Sequence, residues 1–128
     1  MWMKKFLRKG NKMGLDFRNS DASWGYFGFR RFRKRLAELD GYDLDELYIC
    51  YDRGYYPKTT MLPFYIHPDN EGKMGIRELK KLYPRFCELM NKMKEKSDTP
   101  DDYDVENGFK LLDTIKHCIS NKEPLIFE

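Results

Sequence analysis

The chain has few cysteines, no long apolar run and none of the segments that mark export. Its three cysteines, Cys50, Cys87 and Cys118, are far apart and odd in number, so they form neither a Cys-x-x-Cys metal knuckle nor a closed set of disulfides. This pattern is typical of a reducing compartment and predicts a cytoplasmic protein. No apolar stretch approaches the roughly 18 residues of a membrane span, so we expect no membrane partner.

Signatures of catalysis are also missing. The sequence has no P-loop, no dinucleotide-binding glycine pattern and no paired His-x-His or cysteine cluster. Its two histidines, His67 and His117, have no nucleophile beside them in sequence, and His117 is better explained as a solvated side chain on the polar side of a helix. The acidic residues between 98 and 106 suit the start of a helix. We therefore predict a protein that is not an enzyme.

The composition that is present predicts one packed domain. Of the 128 residues, 41% are hydrophobic and 16% aromatic, although 35% are charged. This apolar content is enough for a single core. We expect residues 1–12 to form a basic, loosely ordered extension and residues 13–128 to form a single globular domain.

Charge is distributed unevenly along the chain. Residues 1–35 hold 11 Lys and Arg against two Asp, which gives +9, whereas residues 36–128 hold 13 against 19, which gives −6. A basic segment attracts partners that carry negative charge. The basic end is therefore a candidate contact surface.

Hydrophobic periodicity predicts three amphipathic helices. They run from about residue 22 to 39, from about 76 to 94, and from about 103 to 121. In the first helix the apolar side chains fall within an arc of roughly 140° at 100° per residue. The aromatic core that these helices predict consists of Trp24, Phe29, Phe32, Phe86 and Phe109.

Short strands are predicted at residues 14–17, 47–51 and 125–127, where apolar, β-branched or aromatic residues cluster. Residues 52–63 contain a glycine and two prolines and are expected to form a surface loop. The first and last strands can pair. The expected fold is therefore α+β and mostly α, with three amphipathic helices and a small sheet that joins the N- and C-terminal strands.

Residues 67–78 match the spacing of an EF-hand calcium loop. Gly72 stands at the sixth position, where the loop turns sharply, and a glutamate stands at the twelfth. Oxygen-bearing residues at alternate positions are the pattern that Ca²⁺ requires. The candidate metal-binding residues are Asp69, Glu71, Lys73 and Glu78.

Other features of this loop oppose calcium binding. His67 takes the first position, where a hard cation prefers aspartate, and Glu71 is longer than the usual Asp or Asn. Pro63 is expected to prevent residues 61–66 from forming a normal entering helix. Two interpretations stay open: a degenerate EF-hand-like turn without useful affinity, or a weak Ca²⁺ site of sub-millimolar affinity or poorer. Apart from this weak Ca²⁺ site we predict no cofactor.

The outer face of the first helix combines basic and aromatic residues. Basic side chains beside exposed rings suit an acidic protein partner, or the phosphates and bases of a nucleic acid. The alternative is a solvated helix in which the rings stack beneath Arg side chains, and no RNA- or DNA-binding fingerprint is present. The candidate partner-binding residues are Tyr26, Phe27, Arg30, Arg31 and Lys34, with Arg33 and Arg35 in the same polar arc.

Several of these motifs together resemble a family of small, uncharacterised bacterial and phage proteins. The resemblance rests on Gly14-Leu-Asp-Phe17, on Trp24, on Phe32-Arg33 with Leu36, and on the His-x-Asp-x-Glu-Gly segment that begins at His67. It covers roughly residues 13–127 and implies a protein encoded by a phage or mobile element. It also implies that histidine at the first loop position is a family feature, and it implies no particular activity.

The functional prediction is a non-catalytic intracellular protein that binds another macromolecule or regulates one. A protein partner, contacted through the basic first helix, is the first expectation. Nucleic-acid binding through the same helix is the alternative, and calcium-dependent switching at residues 67–78 is another. A pocket for a small nucleotide, built from Trp24, Tyr26 and the basic residues, also stays open.

Overall fold

The computed structural model describes residues 14–69 and 71–128. The predicted extension at residues 1–12 lies outside this part of the chain. Within it, five helices and four short strands follow one another. The helices are α1 (Tyr26–Leu39), α2 (Leu44–Asp52), α3 (Leu62–Ile66), α4 (Ile76–Lys96) and α5 (Tyr103–Asn121). The strands are β1 (Gly14–Asp16), β2 (Ser23–Gly25), β3 (Lys73–Met74) and β4 (Leu125–Ile126).

The mostly helical α+β class is confirmed, whereas the prediction of three helices is wrong in number. Helices α1, α4 and α5 correspond to the three predicted amphipathic helices. Helix α1 begins at Tyr26 rather than near residue 22, because the preceding residues pair with β1 as strand β2. None of the described helices is both long enough and apolar enough to cross a bilayer.

Helix α2 replaces the strand predicted at residues 47–51. The Asp43 carboxylate accepts hydrogen bonds from the backbone N–H groups of Asp45 and Glu46 at 2.9 and 3.2 Å, which caps the helix and satisfies donors at its first turn. Leu44 and Leu47 lie three residues apart and are both buried. Capping and helical burial outweigh the β propensity of the segment Tyr-Ile-Cys-Tyr.

Helix α3 also forms where the sequence argued against a helix. Pro63 lies in its first turn, where a missing backbone N–H costs nothing because that group has no partner within the helix. Phe64 and Tyr65 are fully buried. Pro63 is therefore compatible with a short helix before the 67–78 loop, and that helix has only five residues.

Two small antiparallel sheets replace the single sheet predicted between the chain ends. Strand β1 pairs with β2, and β3 pairs with β4 so that Met74 faces Leu125. The predicted contact between the ends occurs as an isolated bridge between Phe17 and Phe127. Sequence patterns located β1 and β4 but missed β2 and β3, which are the partners that these two strands pair with.

The core lies between α1, α4, α5 and the short strands. Trp24, Phe29, Phe32 and Phe86 are buried as predicted, and Phe109 is partly buried at the edge. The rings of Trp24 and Phe32 stack with their centroids 4.5 Å apart. Each such side chain contributes about 1.5–3 kcal/mol to folding through its removal from water.

Candidate macromolecule-binding surface

Arg33 points from α1 into the protein. Only 5% of its surface is exposed, and its Nη2 donates to the backbone carbonyl oxygen of His67 at 2.6 Å. The guanidinium also lies 4.3 Å from the ring centroid of Phe29, and burial lowers the pKa of Arg33. Arg33 thus anchors α1 to the start of the 67–78 loop and is not part of the outer face.

Arg35 also stabilises the tertiary structure, through contacts with α5. Its guanidinium donates to both carboxylate oxygens of Asp102 at 3.0 Å and to Asp104 at 2.9 Å. The hydrogen bond from Arg35 holds the pKa of the Asp102 carboxyl well below its usual range. The indole Nε1 of Trp24 donates to Asp104 at 3.1 Å. This network locks α1 to the first turn of α5.

Four of the residues predicted to contact a partner remain on the outer face of α1, where the exposed Glu38 lies in the same arc: Phe27, Arg30, Arg31 and Lys34. At 100° per residue they fall within an arc of about 100°. The Phe27 side chain is 92% exposed. Arg30 forms an exposed ion pair with Asp45 at 2.7 Å, whereas Arg31 and Lys34 form no ion pair with any residue that the structure describes. We call these four residues the α1 outer face.

Tyr26 differs from the other predicted partner-binding residues. It is partly buried and packs against the core. The structure therefore brings Phe27, Arg30, Arg31 and Lys34 together on one exposed surface and places Tyr26 at its inner edge.

An open cavity of about 580 Å³ adjoins the α1 outer face. It lies between the beginnings of α1 and α5, and its lining residues are Trp24, Gly25, Gly28, Arg31, Arg35, Asp102, Tyr103 and Asp104. The Tyr103 hydroxyl donates to the backbone carbonyl oxygen of Ser23 at 2.7 Å. Sequence reasoning missed the role of Tyr103, because a contact across 80 residues leaves no local pattern.

The 67–78 loop keeps part of the EF-hand geometry. Gly72 has a φ of +98°, a conformation that glycine adopts without the steric cost that other residues bear. Met74 enters strand β3 and is fully buried. The backbone N–H of Phe127 donates to the carbonyl oxygen of Gly72 at 2.9 Å, so this part of the loop is fixed to the C-terminal segment.

The ring of His67 fills the inside of this loop. It stacks on Phe127 with ring centroids 3.8 Å apart and planes 16° apart. Nδ1 lies 2.8 Å from the carbonyl oxygen of Pro68, and Nε2 lies 3.1 Å from that of Lys73. Carbonyl oxygens only accept, so the protonated ring can donate to both of them at once. The Cε1 atom of His67 would lie 3.2 Å from a Cβ added at Gly72.

The predicted metal-binding residues differ in their exposure. Asp69 is partly buried, whereas Glu71, Lys73 and Glu78 are exposed. Among residues 14–69 and 71–128, no three His, Cys, Asp or Glu side chains are grouped closely enough to hold a metal ion. The carbonyl oxygen of Lys73 already contacts His67. Calcium binding at this loop stays a prediction, and the described contacts fit a loop that closes around an imidazole ring.

Comparison of the chain with protein-family models, curated proteins and solved structures finds no match. The resemblance to a family of bacterial and phage proteins stays a prediction. The function is therefore proposed from the geometry of α1 and its surroundings.

Proposed function

We propose that this protein is a non-catalytic binding protein that contacts an acidic surface of another protein through the α1 outer face. The observation that carries the proposal is the 92% exposure of Phe27, which lies about one turn before Arg30 and Arg31 on the α1 outer face. Aromatic and Arg side chains are enriched in protein interfaces, and a few such residues supply most of the binding free energy.

In such an interface the four side chains of the α1 outer face supply one apolar contact and three positive charges. The Phe27 ring presents a large apolar surface that a pocket on the partner can bury. Arg31 and Lys34, which have no carboxylate partner among the described residues, can pair with carboxylates of the partner around that pocket. Arg30 can exchange Asp45 for a partner carboxylate at little cost, because exposed ion pairs contribute only about 0–1 kcal/mol.

The number and distribution of the charges favour a protein over a nucleic acid. The α1 outer face offers three cations, whereas residues 36–128 carry −6. Nucleic-acid binding depends on many phosphate contacts along an extended basic surface. A small basic patch on an otherwise acidic domain fits a compact acidic patch on a protein better.

Nucleic-acid binding is the second candidate, and the cavity beside the α1 outer face supports it. An exposed ring stacks on bases regardless of sequence, and Arg31 and Trp24 both line this cavity. This alternative predicts an affinity that falls steeply with salt, with a slope set by the number of phosphates contacted. Binding that survives high salt would contradict it.

Site-specific crosslinking captures whichever molecule contacts a chosen position and therefore tests the proposal. A photoreactive phenylalanine analogue replaces Phe27 in the full chain, and the same analogue at the exposed position Lys116 serves as control. We expect a discrete protein adduct from position 27 in cells that express the protein, and loss of that adduct when Arg30 and Arg31 are changed to Glu. Equal adducts from both positions would contradict the proposal, and an adduct removed by nuclease would favour the second candidate.

A further inference from the structure

A second exposed aromatic surface lies at the end of α2, and its backbone is fixed by a Schellman motif. The N–H of Tyr55 donates to the carbonyl oxygen of Cys50 at 2.8 Å, and the N–H of Gly54 donates to that of Tyr51 at 3.1 Å. Gly54 has a φ of +85°, which is the left-handed conformation that this motif requires. The chain therefore turns back on α2 instead of continuing outward.

This turn places Tyr55 and Tyr56 beside Tyr42, which precedes α2. Tyr55 and Tyr56 are 70% and 66% exposed, and the Tyr56 ring lies 5.4 Å from that of Tyr51. Tyr42, Tyr55 and Tyr56 all line one open cavity of about 310 Å³. A well-defined helix end thus holds aromatic rings around a small concave site.

The charged residues that line this cavity all carry one sign. They are Asp43 and Glu46, and no Lys, Arg or His is among the lining residues. Asp43 already caps α2, whereas the Glu46 side chain makes no hydrogen bond or ion pair with the part of the chain that the structure describes. Ring faces carry a partial negative charge that attracts organic cations, and a nearby carboxylate strengthens that attraction.

The size of the cavity limits the ligand to a single cationic group. A volume of about 310 Å³ lies near the lower end of ligand-binding cavities, which start at about 300 Å³. The cavity is open, so a free small amine would keep much of its surface in water, whereas binding sites for small molecules enclose most of the ligand. A cation attached to a chain gains further contacts with the exposed Ile49 and Tyr51 nearby.

We propose that the tyrosine-lined cavity at the end of α2 binds the ammonium group of a lysine side chain in a basic segment of a partner protein. The rings of Tyr42, Tyr55 and Tyr56 contact the alkyl stem and the ammonium, and Glu46 supplies the opposing charge. This site is distinct from the α1 outer face, which has the opposite charge, and it does not depend on the function proposed for that face.

The test is a titration of the full-length, isotope-labelled protein with short peptides. Binding is measured from the changes in the NMR chemical shifts of the backbone amides. The peptides, all N-acetylated so that the amino terminus carries no charge, are Gly-Ser-Lys-Ser-Gly, the same peptide with trimethyllysine, and a control with norleucine, which has the same stem without the ammonium. We expect saturable shifts within residues 42–57 for the two cationic peptides and none for the norleucine peptide. Norleucine binding of equal strength, or shifts centred on α1, would overturn the proposal.

Matched variants identify the groups responsible. We expect Tyr55→Leu and Glu46→Gln each to lower the affinity for the lysine peptide by about tenfold, since each removes one cation-binding group. Tyr55→Phe keeps the ring and should bind as the wild type does. Glu123→Gln, an exposed change away from α2, is the control. Unchanged affinity in both Tyr55→Leu and Glu46→Gln would overturn the proposal, as would tetramethylammonium binding without peptide binding.

Discussion

The inward and outward sides of α1 carry the same kind of side chain in different roles. Arg33 is buried and bonds to a carbonyl oxygen of the 67–78 loop, whereas the partly buried Arg35 lies against the start of α5 and bonds to two carboxylates there. Arg30 and Arg31 point outward beside the exposed ring of Phe27. The basic residues of α1 thus divide into two groups: Arg33 and Arg35 hold distant parts of the chain together, whereas Arg31 and Lys34 form no ion pair with the residues that the structure describes.

Removal of the inward Arg35 should have the largest effect on stability. Arg35→Ala leaves the carboxylates of Asp102 and Asp104 without their cation, and Asp104 is only 7% exposed. We expect a loss of about 2–4 kcal/mol in unfolding free energy, because loss of one partner strands a largely buried charge. Urea denaturation measures it. Arg35→Lys keeps the charge without the bidentate geometry and should lose less; equal stability of Arg35→Ala and wild type would contradict the structural role.

Substitution of Gly72, in the loop whose His67 carbonyl oxygen accepts a hydrogen bond from Arg33, should cause the next largest loss of stability. Gly72→Ala puts a side chain at a φ of +98° and brings its Cβ to 3.2 Å from the His67 ring. We expect a loss of about 1–3 kcal/mol, the usual cost of a strained backbone position. Thermal unfolding measures it, with Gly75→Ala as control because nothing lies within 4 Å of an added Cβ there. A Gly72→Ala protein as stable as the control would show that the loop does not close around His67 as described.

Acid should weaken the inward network in a predictable direction. The folded-state pKa of Asp102 is depressed below its ordinary value of 3.8, so its stabilising contribution is present above that value and is lost as the pH falls through the folded-state pKa. Asp102→Asn keeps a capping side chain and removes the charge. We expect the variant to lose less stability than wild type between pH 5 and pH 2, roughly the range in which an unfolded Asp titrates. Parallel pH profiles would contradict this assignment.

Changes on the outward side should have the smallest effect on stability. Phe27→Ala and Arg31→Ala remove exposed side chains and should shift the unfolding free energy by no more than about 0.5 kcal/mol. Thermal unfolding measures it, with Phe29→Ala as the contrasting core change. A large loss in Phe27→Ala would mean that the ring serves the fold.

Regular periodicity predicted α1, α4 and α5, because each buries an apolar stripe that repeats at helical spacing. Helix α2 was missed, since Tyr-Ile-Cys-Tyr has strand propensity and its fate depends on the Asp43 cap and on packing. The sequence also placed Arg33 and Arg35 in the polar arc with Arg31. Their inward orientation depends on partners such as Asp102, 67 residues beyond Arg35, and no local pattern reports contacts at that distance.

The 67–78 loop also makes contacts with a distant part of the chain that its sequence pattern does not reveal. Its spacing correctly indicated a sharp turn at Gly72. The contact of His67 with Phe127 could not be predicted, because it joins the loop to the C-terminal end of the chain. Spacing thus described the backbone of the loop, and tertiary packing decided what occupies its centre.

The most direct test of the account combines affinity and stability in one variant. Once crosslinking from position 27 has identified a partner, its affinity is measured for the wild type and for Phe27→Ala combined with Arg31→Glu, alongside the unfolding free energy of each protein. We expect binding weakened by about 100-fold, which corresponds to loss of one hot-spot cluster, with stability unchanged within about 0.5 kcal/mol. Unchanged affinity would contradict the claim that the α1 outer face is the binding surface.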